Sequence, residues 1–471
     1  MLDKVAASLY ELKRRYSKKP EPIKFDFRDF ITSNLHIKRS NIYSHNIHSY
    51  PGRLYPYIPI YFLSSDKLCP SDGKILDPFS GGGTVLLESI VNPFFKRDAY
   101  GVEINPLGRL ISKVKTTALN PKILDKRIEK LNSSIEKIGY SEYKEYIPSF
   151  KNIDFWFSRK AINGLSKIKV CINHLNNDDY KDFFWLCFSK LVRSISRADP
   201  TIPPPVLLKV EKYKDSYRYE QLKALMVRNE KPNVAAIFKQ ILRENTTRVK
   251  TLWDIAEIRT KKVKAEIIWD DARSIKKGSY TIKGLINKSH FEELNNSISC
   301  IITSPPYLAA QKYVRSTKLE LFWLGMASDS DINKLDRDTI GHERISLRYN
   351  KHDFDITFVD TLLEKIENKS KERMLIVSEY LRNMVEVFRN CHKLLVNDGV
   401  MVIVVGNNKI SNMTINTMKL LTILAKKCGF KDTLVLYDEI KGRGMITKRH
   451  YTGGLIKNEF LIVLRKSDNG T

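Results

Sequence analysis

Acidic residues are scarce in this chain of 471 residues: 53 Asp and Glu stand against 80 Lys and Arg, a formal net charge of +27. That imbalance concentrates polyanions around the surface and points to nucleic acid as the partner. Cysteine is sparse too. The six cysteines are scattered, with no Cys-x-x-Cys pair and no His/Cys spacing that makes a zinc site, so no metal is expected. They read as reduced core residues of a cytoplasmic protein. No apolar run is long enough to span a bilayer, and Met1 to Tyr16 is charged throughout, without the apolar centre of a signal peptide. Secretion and a membrane partner are therefore not expected. The chain also lacks the G-x-G-x-x-G of nicotinamide enzymes, which argues against a dehydrogenase.

The length predicts two or three domains, and two stretches carry chemistry. Lys74-Ile-Leu-Asp-Pro-Phe-Ser-Gly-Gly-Gly-Thr84 reads as a short strand, an acid at its end, a glycine loop and a helix starting near Thr84. Glycines let the backbone approach a ligand closely, and free N–H groups at a helix start favour a carboxylate or phosphate. About 20 residues on, the strand Ala99 to Ile104 carries Glu103 near its end, where an acid can hydrogen-bond both hydroxyls of a ribose. A nucleoside cofactor is implied. In the second stretch, Cys300-Ile-Ile-Thr-Ser-Pro-Pro-Tyr307, an apolar run ends in a hydroxyl, two prolines and an aromatic ring. Proline fixes its own φ and pushes the preceding residue into an extended conformation, so the Ser304 and Pro305 carbonyls point in defined directions. Strand ends of this kind are where an open α/β sheet places its chemistry.

Asp77-Pro-Phe-Ser-Gly-Gly-Gly-Thr84 resembles the cofactor motif of S-adenosylmethionine-dependent amino-methyltransferases of DNA, and Thr303-Ser-Pro-Pro-Tyr307 resembles their catalytic motif. The form with serine first is similar to the cytosine-N4 enzymes, whereas adenine-N6 enzymes usually carry Asp or Asn there. His48 to Pro56 resembles the segment that closes over the methionine end of the cofactor. The resemblance covers residues 45 to 118 and 262 to 466. It implies an α/β, Rossmann-like methyltransferase fold with a seven-stranded, mainly parallel sheet whose last strand is antiparallel. It implies S-adenosyl-L-methionine as cofactor, held by Tyr50, Pro51, Asp77, Phe79, Gly81, Gly83, Thr84, Glu103, Asp271 and Thr303. Ser304, Pro305, Pro306 and Tyr307 become the catalytic residues, acting on the N4 amine of a cytosine flipped out of double-stranded DNA. Adenine-N6 methylation of DNA and methylation of an RNA base are the alternatives. A restriction system with a separately acting endonuclease is the implied setting. A cytosine-C5 enzyme would need a cysteine after a proline, and none of the six follows one.

The organisation follows from these anchors. Residues 1–40 read as a helix and a basic linker, and 41–118 as the first part of the catalytic domain. Residues 119–261 read as a mostly helical inserted domain (Ile123 to Ile138, Arg159 to Leu175, Tyr180 to Ile195) interrupted by the proline-rich Ala198 to Pro205. Its 27 basic and 17 acidic residues from Pro121 to Thr260 make it only slightly more basic than the whole. Phe155-Trp-Phe157 and Phe183-Phe-Trp185 read as core aromatics, and no Asp…Glu-x-Lys nuclease pattern stands out. Residues 262–471 complete the catalytic domain. Val263 to Arg273 reads as a strand ending in paired acids, and the resemblance places Asp271 near the adenine of the cofactor. Tyr313 to Leu324 is similar to a helix that lines the pocket floor. Asp329 to Ser370 reads as a long polar loop with basic points at Arg337, Arg344, Arg348 and Lys351. Either it or 119–261 is expected to read the DNA. Helices over Met374 to Leu395 and Ile415 to Cys428 alternate with a turn at Asn397 to Gly399 and strands at Val400 to Val405, Thr433 to Tyr437 and Glu459 to Leu464. Such alternation predicts a mainly parallel sheet covered on both faces.

Overall fold

The apolar runs that end at Asp77, near Glu103 and just before Ser304 lie side by side. The computed structural model describes residues 2–38, 42–274, 294–308, 313–343, 350–410, 412–440 and 458–467. Its main sheet contains β1 (Ile23–Lys24), β2 (Lys74–Asp77), β3 (Ala99–Val102), β4 (Ala265–Trp269), β5 (Ile298–Thr303), β6 (Leu395–Gly406), β9 (Phe430–Glu439) and β10 (Asn458–Lys466). A separate hairpin pairs β7 (Asn408–Ile410) with β8 (Met413–Ile415). The strand order is β1-β9-β10-β6-β5-β2-β3-β4. All pairings are parallel except those of β10, which runs antiparallel to both β6 and β9. The seven expected strands are present, and β1 adds an eighth at the edge.

Parallel strands covered on both faces must be apolar on both sides. Accordingly Val400 to Val405 are buried without interruption, and so are Leu461 to Leu464 of the antiparallel β10, which lies inside the same covered sheet. β6 also begins earlier than expected, so that Asn397 to Gly399 lie within the strand instead of forming a turn before it. Asp398 takes the left-handed conformation there, and the register with β5 shifts between Ile298 and Cys300.

Two other expectations are corrected. Within residues 1–40 the expected helix is present, but the stretch after it is not a linker: β1 pairs with β9, and Phe27–Asn34 is a helix. The preceding helix, Leu2–Lys18, buries Val5, Leu9, Leu12 and Tyr16 in the sheet's core, and Tyr16 donates a 2.9 Å hydrogen bond to Asp432. The charge of this helix lies on the face opposite a continuous apolar stripe, which is what an element docked on a sheet requires. The polar stretch Asp329 to Ser370 likewise contains two helices, Asp329–Asp338 and Thr357–Glu367. The first starts in a capping box between Ser328 and Asp331 and buries only Ile332, Leu335 and Asp336, too few apolar positions for periodicity to reveal. Arg344 and Arg348 lie outside the described residues.

The insertion contains the helices Pro121–Lys137, Arg159–Asn173, Asp179–Ile195 and Val234–Trp253. Their core is continuous with Leu107 and Ile111 of the helix Pro106–Thr116 and with Trp323 of the helix Lys318–Leu324. Trp323 is fully buried, edge-on to Phe157 and Phe188 at 5.6 and 6.3 Å. Trp156, Phe157, Phe183 and Phe184 are buried, while Phe155 is exposed. Among the described residues no helix is long and apolar enough to cross a membrane, and no three His, Cys, Asp or Glu side chains are grouped to hold a metal ion.

Candidate active site

β2 and β5 are parallel neighbours, so the glycine loop and the Ser-Pro-Pro-Tyr turn leave the sheet at the same edge. A buried hydrogen bond joins them: Thr303 Oγ1 donates to Asp77 Oδ1 at 2.7 Å. The same oxygen accepts the Phe79 N–H at 3.1 Å. Burial pushes the Asp77 carboxyl up to about 7, against the pull of these two donors. The loop that follows has Gly81 at φ 51° and Gly83 at φ 71°, left-handed conformations that favour glycine. A Cβ on Gly83 would meet the Ser112 side chain at 2.8 Å, and one on Gly81 would press on the Tyr50 ring at 3.3 Å. Ser112 also donates to the Gly81 carbonyl at 3.0 Å. The loop is thus clasped between Tyr50 and the helix Pro106–Thr116.

Glu103 follows β3 and is buried. Its Oε1 accepts the Asn105 N–H at 2.7 Å and the Tyr50 hydroxyl at 3.3 Å. Burial raises its pKa, offset by the Asn105 amide and the charge of Arg109. Asn105 then caps the helix Pro106–Thr116 through the Leu107 N–H. The His48 to Pro56 segment meets the loop through Tyr50. His48 is buried with Nδ1 on the Ser49 carbonyl, and burial lowers its pKa to about 4. Beneath it, His45 Nε2 lies 2.5 Å from Glu88 of the helix Thr84–Val91, whose carboxyl burial raises to about 8.

One cavity gathers most of the predicted residues. Tyr50, Pro51, Phe79, Gly81, Glu103, Asp271, Ser304 and Pro306 line it, and its free space, counting the mouth open to solvent, is about 670 Å³. That lies within the range of small-molecule and cofactor sites. Asp77, Gly83, Thr84, Thr303, Pro305 and Tyr307 are not among its lining residues. Asp77, Thr84 and Thr303 are buried and Gly83 caps the loop helix, so these four shape the wall from outside the cavity. Tyr307 donates from its hydroxyl to Glu459 at 3.2 Å, across to the start of β10. Burial raises the pKa of both groups.

Asp271, expected near the adenine of the cofactor, stands on the cavity wall and is held by a neighbour. Arg273 donates to both of its oxygens. Asp270 beside it also lines the cavity; burial raises its pKa against the charge of Arg109. Tyr313 and Val314 stand on the cavity wall, in the run expected to form its floor. Asn105 and the segment Asp338, Thr339 and Ile340 were not anticipated. Asn105 had a local signal, an Asn-Pro helix start two residues after Glu103, whereas Asp338 to Ile340 match no motif.

The residues fit an adenosyl ligand: a glycine loop whose added Cβ would fill the gap beneath Tyr50, a buried acid after β3, and a hydroxyl and proline at the facing strand end. A family model described as DNA methylase matches residues 298–467, the part of the chain that holds β5, the Ser-Pro-Pro-Tyr turn and β10. Type II methyltransferase M.MvaI of Kocuria varians is 26% identical over 465 residues, covering 90% of this chain and 92% of that protein. Residues 298–467 thus carry a domain of the N4/N6 DNA methylase type, and the chain along most of its length is similar to a type II methyltransferase. This methyltransferase takes its methyl group from S-adenosylmethionine and acts on DNA. It is also 25% identical, over 160 residues, to type II methyltransferase M.MjaII of Methanocaldococcus jannaschii, covering 33% of this chain and 29% of that one. Superposition on the rRNA methyltransferase aviRa of Streptomyces viridochromogenes spans 89% of this chain and 88% of that one at 9% identity, with a TM-score of 0.27, too weak a likeness to bear on function.

Proposed function

We propose that this methyltransferase modifies the exocyclic N4 amine of cytosine in a specific duplex site, as the modification half of a restriction system whose endonuclease acts separately. The observation that carries the reading is that Ser304 and Pro306 share one cavity with Gly81 and Glu103, which brings an amine acceptor site beside a nucleoside site. S-adenosylmethionine supplies an electrophilic methyl group when bound. The cytosine amine is a poor nucleophile because its lone pair is delocalised into the ring. Ser304 Oγ and the Pro305 carbonyl accept its two N–H bonds out of the ring plane, which restores the lone pair and aims it. Tyr307 stacks on the base, with its hydroxyl held by Glu459. No strong base is needed before attack, because the nitrogen becomes acidic as it gains the methyl group; positioning carries most of the catalysis. A hydroxyl in place of a carboxylate at the first motif position favours cytosine over adenine.

The base must leave the duplex to reach Ser304, at a cost of about a few kcal/mol for unstacking. Phosphate contacts from a chain of charge +27 offset it, so binding weakens steeply as salt rises. Both type II relatives support the restriction setting. The test is to incubate the protein with duplex DNA and methyl-labelled cofactor, digest to nucleosides and identify the labelled one. Label in N4-methyl-2′-deoxycytidine is expected. Label in N6-methyl-2′-deoxyadenosine would overturn the choice of base, and label found only with RNA would overturn the choice of substrate.

A further inference from the structure

Arg273 lies behind the cavity wall, bonded to Asp271, Asn383 and Asp338, yet it belongs to no motif. It sits on the turn after β4, and Asn390 fixes that turn by donating to the carbonyls of Ala272 and Arg273, both at 3.0 Å. From there the guanidinium forks onto Asp271, with Nε to Oδ1 at 3.0 Å and Nη2 to Oδ2 at 2.7 Å. The Arg273 N–H also donates to Asp271 Oδ1, at 2.9 Å. Nη2 donates further to the Asp338 carbonyl at 2.7 Å, and Nη1 reaches Asn383 at 3.4 Å.

The Asp338 carbonyl is at the end of the helix Asp329–Asp338, where last-turn carbonyls lack intrahelical partners and a cation is favoured. Beyond it Asp338, Thr339 and Ile340 form cavity wall. Arg315, which follows the catalytic turn, pins the same last turn by pairing with Asp336 at 2.7 Å. Asp270, Asp271 and Asp338 all line the cavity; Arg109 offsets the charge of Asp270, and Arg273 offsets those of Asp271 and Asp338.

We propose that Arg273 is a positioning residue for the cofactor: it clamps the Asp271 carboxylate to the Asp338 carbonyl and so fixes the wall formed by Asp271 and Asp338 to Ile340. The inference rests on this cavity being the S-adenosylmethionine site. The fork is planar and bidentate, and a lysine retains the charge without reproducing it. The polar excursion after residue 329 then serves the cofactor through its first helix.

The test measures binding of S-adenosylmethionine by calorimetry, and kcat and KM with duplex DNA, for Arg273→Ala, Arg273→Lys and Glu103→Gln. Arg273→Ala is expected to raise the cofactor Kd and KM by about tenfold or more, the scale of lost charged hydrogen bonds, while kcat at saturating cofactor stays within about threefold, as expected when a lost contact acts equally in ground and transition states. Arg273→Lys should recover part of the affinity and, as the gentler change, serves if the alanine variant does not fold. Unchanged KM, or a fall in kcat with KM unmoved, would overturn the proposal. If Glu103→Gln weakens cofactor binding and the Arg273 variants do not, the proposal alone fails. If Glu103→Gln has no effect either, the assignment of the cavity fails with it.

Discussion

Replacing Glu103 by glutamine tests the nucleoside site with little disturbance of the fold. Glu103 Oε1 already serves the Asn105 N–H at 2.7 Å and the Tyr50 hydroxyl at 3.3 Å. Glutamine keeps a carbonyl oxygen for both donors and removes only the charge, whereas alanine would strand a buried N–H at the cap of the helix Pro106–Thr116. Stranding that donor costs about 1–3 kcal/mol of stability, so alanine confounds folding with binding. The charge lost in Glu103→Gln is one of two that face Arg109, the other being Asp270, so the arginine keeps a partner. With Glu103 on the ribose, as we propose, what disappears is the carboxylate's pair of charged hydrogen bonds to its hydroxyls. At about 1.5–3 kcal/mol, cofactor Kd should rise by roughly 10- to 150-fold. Calorimetric titration with S-adenosylmethionine measures it, and a thermal melt of the free protein should shift by no more than about 2 °C. A Tyr50→Phe cycle adds a second check, with a coupling of about 0.5–1.5 kcal/mol expected for the shared hydrogen bond. Affinity within twofold of the parent would refute the ribose assignment, and a large loss of melting temperature would show that the charge supports the fold.

Ser304→Ala should lower kcat by about 10²- to 10³-fold, the range for loss of one oriented polar group at a reacting centre. Cofactor Kd should stay nearly unchanged, and an equal loss of both would mean a structural role. Thr303→Val removes the donor to buried Asp77 and should cost about 1–3 kcal/mol of unfolding free energy. A folded pKa raised to about 7 means that Asp77 contributes stability at low pH and loses it as pH climbs towards and through that value. Losing the Thr303 hydroxyl raises that pKa further, so urea titrations should show the larger penalty at pH 8 and the smaller at pH 5. His48 carries the opposite sign: its folded pKa of about 4 lies below the ordinary value, so its contribution is full above about 6.5 and fades as pH falls towards 4. His48→Asn should flatten the stability curve by up to about 3 kcal/mol across that window, and an unchanged slope would show that His48 is not buried neutral.

The cofactor half was legible because its signals are local. The strand, acid and glycine loop of Lys74 to Thr84 form one continuous stretch, and the backbone of Gly81 and Gly83 has the conformation that only such residues adopt easily. Asp271 shows the limit of that reading. Its position could be inferred, but the fork from Arg273 that occupies both oxygens depends on how the next turn folds back. In residues 1–40 the helix was legible from Val5, Leu9 and Leu12, whereas the stretch after it misled for a different reason. Charge and prolines dominate that stretch, and its pairing with β9 shows only when the sheet edge is there to receive it.

By itself the sequence determined the class of chemistry and the pairing of a glycine loop with a polar strand end, because both depend on short runs whose residue types restrict the backbone directly. It also determined that most strands would be parallel, because runs such as Val400 to Val405 leave no polar face for solvent. Only the tertiary structure decided which residues meet. Thr303 and Asp77 are 226 positions apart, and the Thr303 hydroxyl donates to the Asp77 carboxylate at 2.7 Å because β5 inserts beside β2. Tyr307 and Glu459 meet across 152 positions through the placement of β10. Asp338 to Ile340 enter the cavity wall through a helix whose end is held by Arg273 and Arg315. Such contacts are set by strand order and by the satisfaction of buried polar groups, and neither is encoded within any one stretch of chain.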